Sequence, residues 1–331
     1  MTRRDAIKLL GLVSAGCLLP RVGLATTPPP LADKWGLLLP QRDLGLTGLK
    51  VSMLGLGGSH VGRPSESEAE RIVETAMERG IRTFETAQLY QGGRSEERYG
   101  KFLAPKYREQ VLIFTKTMAT DAKTAEEHLE GSLRRMKVDY VDLWQMHDIA
   151  SPEDVDERLR NGVLDFMLKA KGSGKVRHLG FTGHTTWKAH AHLLKQCDVF
   201  ETCLMPINVA DISYESFILN ILPKLTERKM GVLAMKTLAA GDFLRGRDGA
   251  PPIIPDRISI EDALRFAWSF PISSLISGMA RVAHVEENTG YAARFVPFTE
   301  AERQALIAKV EDIAKTGKLE RNFKPAHLPG D

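Results

Sequence analysis

Glu85, Lys116 and His147 each sit at the end of a short apolar run, Thr83-Phe84, Leu112-Ile113-Phe114-Thr115 and Leu143-Trp144-Gln145-Met146, and Tyr90 lies just beyond the first of them. A free phenol, with a pKa of about 10, gives up its proton reluctantly at neutral pH unless a cation stabilises the phenolate. Lys116 is a candidate for that cation. An ammonium beside Val111, Leu112, Ile113 and Phe114 is costly to bury without a partner, and Glu85 offers a carboxylate. Taken singly, each residue has an ordinary explanation: a Tyr after a strand is commonly packing with a wet hydroxyl, and a lone His a satisfied core residue. His147-Asp148 with His184 could also suggest a metal-dependent hydrolase, but such sites gather several ligands from different strands, and Lys116 sits badly beside a divalent cation. Cys17, Cys197 and Cys203 form no CxxC pair. No metal is expected.

These residues need elements to hold them. Strands are expected at 51–57, 81–86, 111–117, 141–147, 176–183, 201–208, 231–237 and 273–279, separated by helical patterns such as 65–79, 124–136, 152–171 and 260–270. Helices between every pair of strands argue for a parallel sheet, and eight repeats of the unit for an α/β fold of the closed (β/α)8, or TIM-barrel, type. The alternative is an open doubly wound sheet. Against it, Gly55-Leu56-Gly57-Gly58 does not complete a GxGxxG fingerprint. Residues 36–50 are expected to form an N-terminal hairpin over the barrel floor, and 298–319 an extra C-terminal helix. Barrel chemistry sits at the C-terminal ends of the strands, where Glu85, Lys116, His147, Thr182, Asn208 and Lys236 collect. Because side chains alternate, Thr83/Glu85, Leu143/Gln145/His147, Gly180/Thr182 and Leu204/Asn208 each share a face, so one inward register can hold them all.

The runs Arg82 to Tyr90, Ser95-Glu96, Thr115-Lys116-Thr117, Asp142 to His147, Leu179 to His184, and Gly278-Met279-Ala280-Arg281 with Glu286-Glu287-Asn288 resemble the aldo-keto reductase family over most of residues 40–300. The resemblance implies reduction of an aldehyde or ketone by hydride transfer from a nicotinamide, with Tyr90 as proton donor, Lys116 as its cation, Glu85 orienting Lys116, and His147 on the carbonyl oxygen. It also implies a cofactor site. Gly57, Gly58, Thr182, Asn208, Lys236, Gly278, Arg281, Glu287 and Asn288 are its candidates: Lys236 as a point charge near the pyrophosphate, Gly278 to Arg281 at a helix N-terminus, Arg281 on an adenosine 2′-phosphate, Glu287 and Asn288 near the adenine. Arg281 favours NADP(H) over NAD(H). Three positions depart from the family pattern. Met235 stands where an aromatic usually stacks on the nicotinamide, Thr182-Gly183-His184 and Asn208 replace a Ser-Asn pair and a Gln, and Glu85 replaces an Asp.

The 45 Lys+Arg and 42 Asp+Glu balance to +3 with no block of one sign, so a nucleic-acid partner is not expected. A small carbonyl substrate is. Residues 1–30 read as a leader: Arg3-Arg4 precedes the apolar run Leu9 to Pro20, and Gly23-Leu24-Ala25 comes before a proline-rich stretch. This resembles a twin-arginine export signal cleaved after Ala25, with the twin-arginine machinery as partner and an exported, periplasmic destination for the domain 31–331. Ser14-Ala15-Gly16-Cys17 is an alternative lipidation box. Beyond residue 30 no run is long enough to span a membrane. The competing function is an exported nucleotide-binding sensor or accessory subunit with little turnover.

Overall fold

The computed structural model describes residues 31–325, so the leader expected over 1–30 lies outside the described residues. Eight parallel strands, β1 (Leu54–Gly57), β2 (Thr83–Glu85), β3 (Leu112–Thr117), β4 (Val141–Met146), β5 (Val176–Thr182), β6 (Thr202–Pro206), β7 (Gly231–Met235) and β8 (Ser274–Ser277), pair in chain order. β8 then pairs with β1, Leu275 opposite Leu54 and Ile276 opposite Gly55, and the sheet closes into the expected (β/α)8 barrel.

Each strand is covered on both sides. β4 is buried at every position because Trp144 and Met146 face the helices while Leu143 faces the lumen, which is why the strands read as continuous apolar runs. Among the helices, α1 (Glu66–Glu78) starts where the Ser65 hydroxyl accepts from the Glu68 N–H, and it lays Ala69, Ile72, Val73 and Ala76 against the barrel. Inside the lumen, Phe114, Leu143, Leu204, Leu233 and Ile276 from five strands meet Leu44 and Val51. Those last two arrive from below on an antiparallel hairpin, Gln41–Asp43 against Lys50–Ser52, and so plug the floor.

Three expectations are corrected. Residues 51 and 52 belong to the floor hairpin, so β1 begins only at Leu54. The helix expected over 152–171 is two helices, Pro152–Arg160 and Val163–Gly172, because Gly162 takes φ +80° and ends the helical geometry between them. The extra C-terminal helix breaks into Glu300–Ala308, Glu311–Ala314 and a 3-10 turn at Lys318–Glu320. A straight helix would leave the barrel. The broken chain turns at Gly317, φ +72°, and carries Glu320 to Lys324 back across the C-terminal face.

Candidate active site

β2 and β3 lie side by side with Glu85 opposite Phe114, so the next inward residue of β3, Lys116, comes to rest against the Glu85 carboxylate. Both are almost fully buried. The Lys116 ammonium also donates to the Thr86 carbonyl at 2.8 Å and to the Tyr90 hydroxyl at 3.1 Å, and all its hydrogens are thereby directed. The second Glu85 oxygen, Oε2, accepts from the Gly58 N–H at 3.3 Å. Burial, then the charge of Lys236, pushes the Lys116 ammonium well below its ordinary pKa. Removing one partner of such a buried pair costs about 3–5 kcal/mol, because the other charge is left alone.

His147 follows β4, held by its own N–H to the Thr117 carbonyl at 2.8 Å and by Arg158, which donates to its carbonyl at 2.8 Å. Its ring stands edge-on to Tyr90 with centroids 5.9 Å apart. Burial and the charge of Lys116 push it well below the usual histidine range, so it is a neutral imidazole at pH 7. Its Nδ1 is buried with no hydrogen-bond partner among the described residues. Tyr90 is shifted upward, by burial first and then by the charge of Asp148. Asp148 sits in the left-handed region at φ +54° and lies 3.4 Å from His184 Nε2. A neutral imidazole, a phenol and an ammonium thus converge at one end of the barrel. That arrangement can polarise an oxygen and hand it a proton.

The cofactor candidates divide. Lys236, just past β7 at φ +58°, has no ion-pair partner among the described residues and lies 5.7 Å beneath the ring of Phe323. Arg281, the N-cap of α2 (Val282–Ala293), is exposed and donates to His284 Nε2 at 2.9 Å. A Cβ on Gly278 would lie 2.2 Å from His60 Nδ1, so the loop after β8 and the turn after β1 are in contact. Unpaired cations and a bare glycine backbone fit a phosphate-bearing cofactor. Other candidates are engaged within the protein. Gly57 is packed against the backbone of Ser277, and Gly58 against the Glu85 carbonyl and Ser95. Glu287 accepts from the Tyr291 hydroxyl at 2.7 Å, and the Asn288 amide donates to Ser277 at 3.1 Å. Thr182 ends β5, buried, with its carbonyl accepting from Ile149. Asn208 is engaged within the protein. Its amide donates to Glu320 at 2.7 Å and its carbonyl oxygen accepts from the Ala210 and Asp211 N–H groups.

Glu320 belongs to a cluster that the strand pattern did not reveal. The Lys324 ammonium, entirely buried, pairs with Asp211 and Glu320, each at 2.7 Å, and donates to the Tyr214 carbonyl. Beside it Phe323 packs edge-on to His184, with centroids 5.8 Å apart. Residues 320–324 therefore form one wall of the site. Its only signal in the sequence is Glu320 and Lys324 at helical spacing, a pattern common on solvated faces. Among the described residues no group of three or more His, Cys, Asp or Glu could hold a metal, and no helix is long and apolar enough to cross a membrane.

Residues 53–258 match the model of the aldo/keto reductase family. L-galactose dehydrogenase of Arabidopsis thaliana is 28% identical over 85% of this chain and 98% of its own length. Among solved structures, the holo form of aldo-keto reductase AKR11C1 from Bacillus halodurans superposes with a TM-score of 0.70, covering 82% of this chain and 96% of that one at 24% identity. The glycerol dehydrogenase AKR11B4 from Gluconobacter oxydans superposes at 0.65, with 20% identity over 87% of this chain and 98% of its own. These two share the fold. With a match across the barrel from β1 past β7, the chain belongs to the aldo/keto reductase family, whose members are oxidoreductases.

Proposed function

We propose that this protein reduces a small aldehyde or ketone to the alcohol with NADPH. The observation that carries the reading is the Lys116 ammonium 3.1 Å from the Tyr90 hydroxyl with the Glu85 carboxylate behind it. Lys236, Gly278 and Arg281 would hold the phosphates of the cofactor, whose reduced nicotinamide would supply a hydride to the carbonyl carbon. Neutral His147 donates a hydrogen bond to the carbonyl oxygen and orients it. As that oxygen gains charge, the Tyr90 hydroxyl gives it a proton, and Lys116 stabilises the phenolate that remains. Glu85 keeps the ammonium aimed. Burial raises the Tyr90 pKa in the free protein, so the phenol is protonated there and its proton transfer relies on the Lys116 ammonium to stabilise the phenolate.

The relatives named for L-galactose and glycerol support hydroxylated aldehydes and ketones as first probes. A second reading, a nucleotide-binding sensor with little turnover, draws on Asn208, whose amide already donates to Glu320 and whose carbonyl oxygen already accepts from two backbone N–H groups. Tyr90→Phe decides between them. On the enzyme reading kcat and kcat/KM fall together by about 100-fold or more while NADPH affinity holds, because the lost interaction is made mainly in the transition state. Wild-type protein that binds NADPH yet turns over no carbonyl, with Tyr90→Phe indistinguishable from it, would establish the sensor. We further propose that residues 1–30 direct export of the folded barrel by the twin-arginine route, a reading supported by Arg3-Arg4 ahead of a mildly apolar run.

A further inference from the structure

Two histidines that the carbonyl chemistry does not use stand among the cations at the mouth of the barrel. His60 lies in the turn after β1, with Nδ1 3.0 Å from the Ser59 hydroxyl and its ring against the Cα of Gly278. His284 lies in the first turn of α2, where its Nε2 accepts from Arg281 at 2.9 Å. Both are half-buried. The charged groups acting on His60 are Arg63 on its own segment and Lys236 from the end of β7, with His284 of α2 adding to them only when protonated. His284 faces Arg281, opposed by the carboxylate of Glu287 one turn on. From α1, Glu68 reaches the Val282 N–H at 3.3 Å, but it is also paired with Arg71. Asp148, on the far side of Lys236, acts on that lysine. Arg63, Lys236 and Arg281 have no carboxylate partner among the described residues. These three cations are therefore open to pairing with a phosphate, although Glu68, Glu287 and Asp148 lie in the same neighbourhood.

We propose that His60 and His284 are phosphate ligands that each take up a proton from solvent on binding the dinucleotide, His60 at the pyrophosphate and His284, with Arg281, at the adenosine 2′-phosphate. This rests on the NADP(H) reading above and goes beyond it, because it makes cofactor affinity depend on pH and divides the proton uptake between two chemically distinct phosphates. In the free protein, burial and the neighbouring cations hold both rings below the usual histidine range, so at pH 7.5 both are neutral. A phosphate charge within reach reverses the balance. An opposite charge within about 4–6 Å favours the charged imidazolium and raises a histidine pKa by about 1–3 units, so each ring takes up a fraction of a proton at pH 7.5. The 2′-phosphate, with a second pKa of about 6, is almost fully ionised there and contributes little release of its own.

Calorimetric titration of the folded protein with NADPH and with NADH at pH 7.5, in two buffers of different ionisation enthalpy, counts the protons. Uptake is expected with both nucleotides and is larger with NADPH. His60→Gln should remove the part common to both, and His284→Gln only the excess seen with NADPH. Gln keeps a hydrogen-bonding head at each position, and a melting curve for each variant checks that the barrel is intact. By the same linkage, the wild-type Kd for NADPH should rise about threefold or more between pH 6.5 and 8.5. Buffer-independent heats, a Kd flat with pH, or uptake that survives both substitutions would overturn the proposal while leaving the reductase reading intact. If neither nucleotide binds, the reductase reading itself fails.

Discussion

At the scale of single residues, the decisive position is Glu85, one methylene longer than the Asp that the family resemblance implies there. Its extra methylene is used: one carboxylate oxygen meets Lys116 while the other takes the Gly58 N–H, so both are engaged at once. Glu85→Asp cannot span the two. It should lower kcat by about 10- to 100-fold through misplacement of Lys116, with NADPH affinity unchanged. Faster turnover in that variant would mean that the longer side chain misplaces the ammonium. Asp148 offers a pH test. Burial raises the Tyr90 pKa, and the negative charge of Asp148 raises it further, so Asp148→Asn should lower it. Alcohol oxidation, the reverse reaction, needs the phenolate, so its rate climbs with pH as Tyr90 ionises, and in Asp148→Asn this rising limb should move to lower pH by about half a unit or more. A limb that stays in place or moves upward would remove Asp148 from any role in tuning Tyr90. The meeting of Glu85, Lys116 and His147 was legible in the sequence because each lies at or next to a strand end, and Tyr90 follows in the loop after β2. The pairing of Glu85 with Gly58 was not, since it needs β1 beside β2.

At the scale of elements, the segment returning across the barrel mouth does most to distinguish this chain from a plain barrel. Lys324 is buried between Asp211, from the turn after β6, and Glu320. Burial raises the Glu320 pKa, opposed by Lys324. Lys324→Met leaves two carboxyls facing each other without their cation and should destabilise the folded protein by about 3–5 kcal/mol. Thermal and urea denaturation read this directly, and an unchanged melting temperature would show that the segment is dispensable. Sequence periodicity placed a helix here and could not see its breaks. Val310 and Gly317 leave helical geometry because the chain must turn to bring Lys324 to Asp211, a partner more than 100 residues away.

At the scale of the whole molecule, the barrel is closed at its floor by Leu44 and Val51, and Phe323 packs against His184 and Lys236 at its mouth, so both ends of the described chain complete the barrel around the strands between. A protein whose site is complete only once every part is in place suits an export route that carries folded cargo. Residues 1–30 fused to a reporter should export it only when the reporter folds first, and Arg3→Lys with Arg4→Lys should stop this; export that persists in the double variant would refute the twin-arginine reading. The sequence by itself determined the eight-unit barrel and the convergence of Glu85, Lys116 and His147, because strand period and strand-end position are local properties that survive closure. Only tertiary structure decided that Asn208 serves Glu320, that His60 rests on Gly278, and that residues 51 and 52 belong to the floor. Each of these depends on which surfaces remain free once the sheet has closed. Closure brings together residues whose separation in the chain carries no periodic signal, and buried polar groups then take the nearest partner that satisfies them.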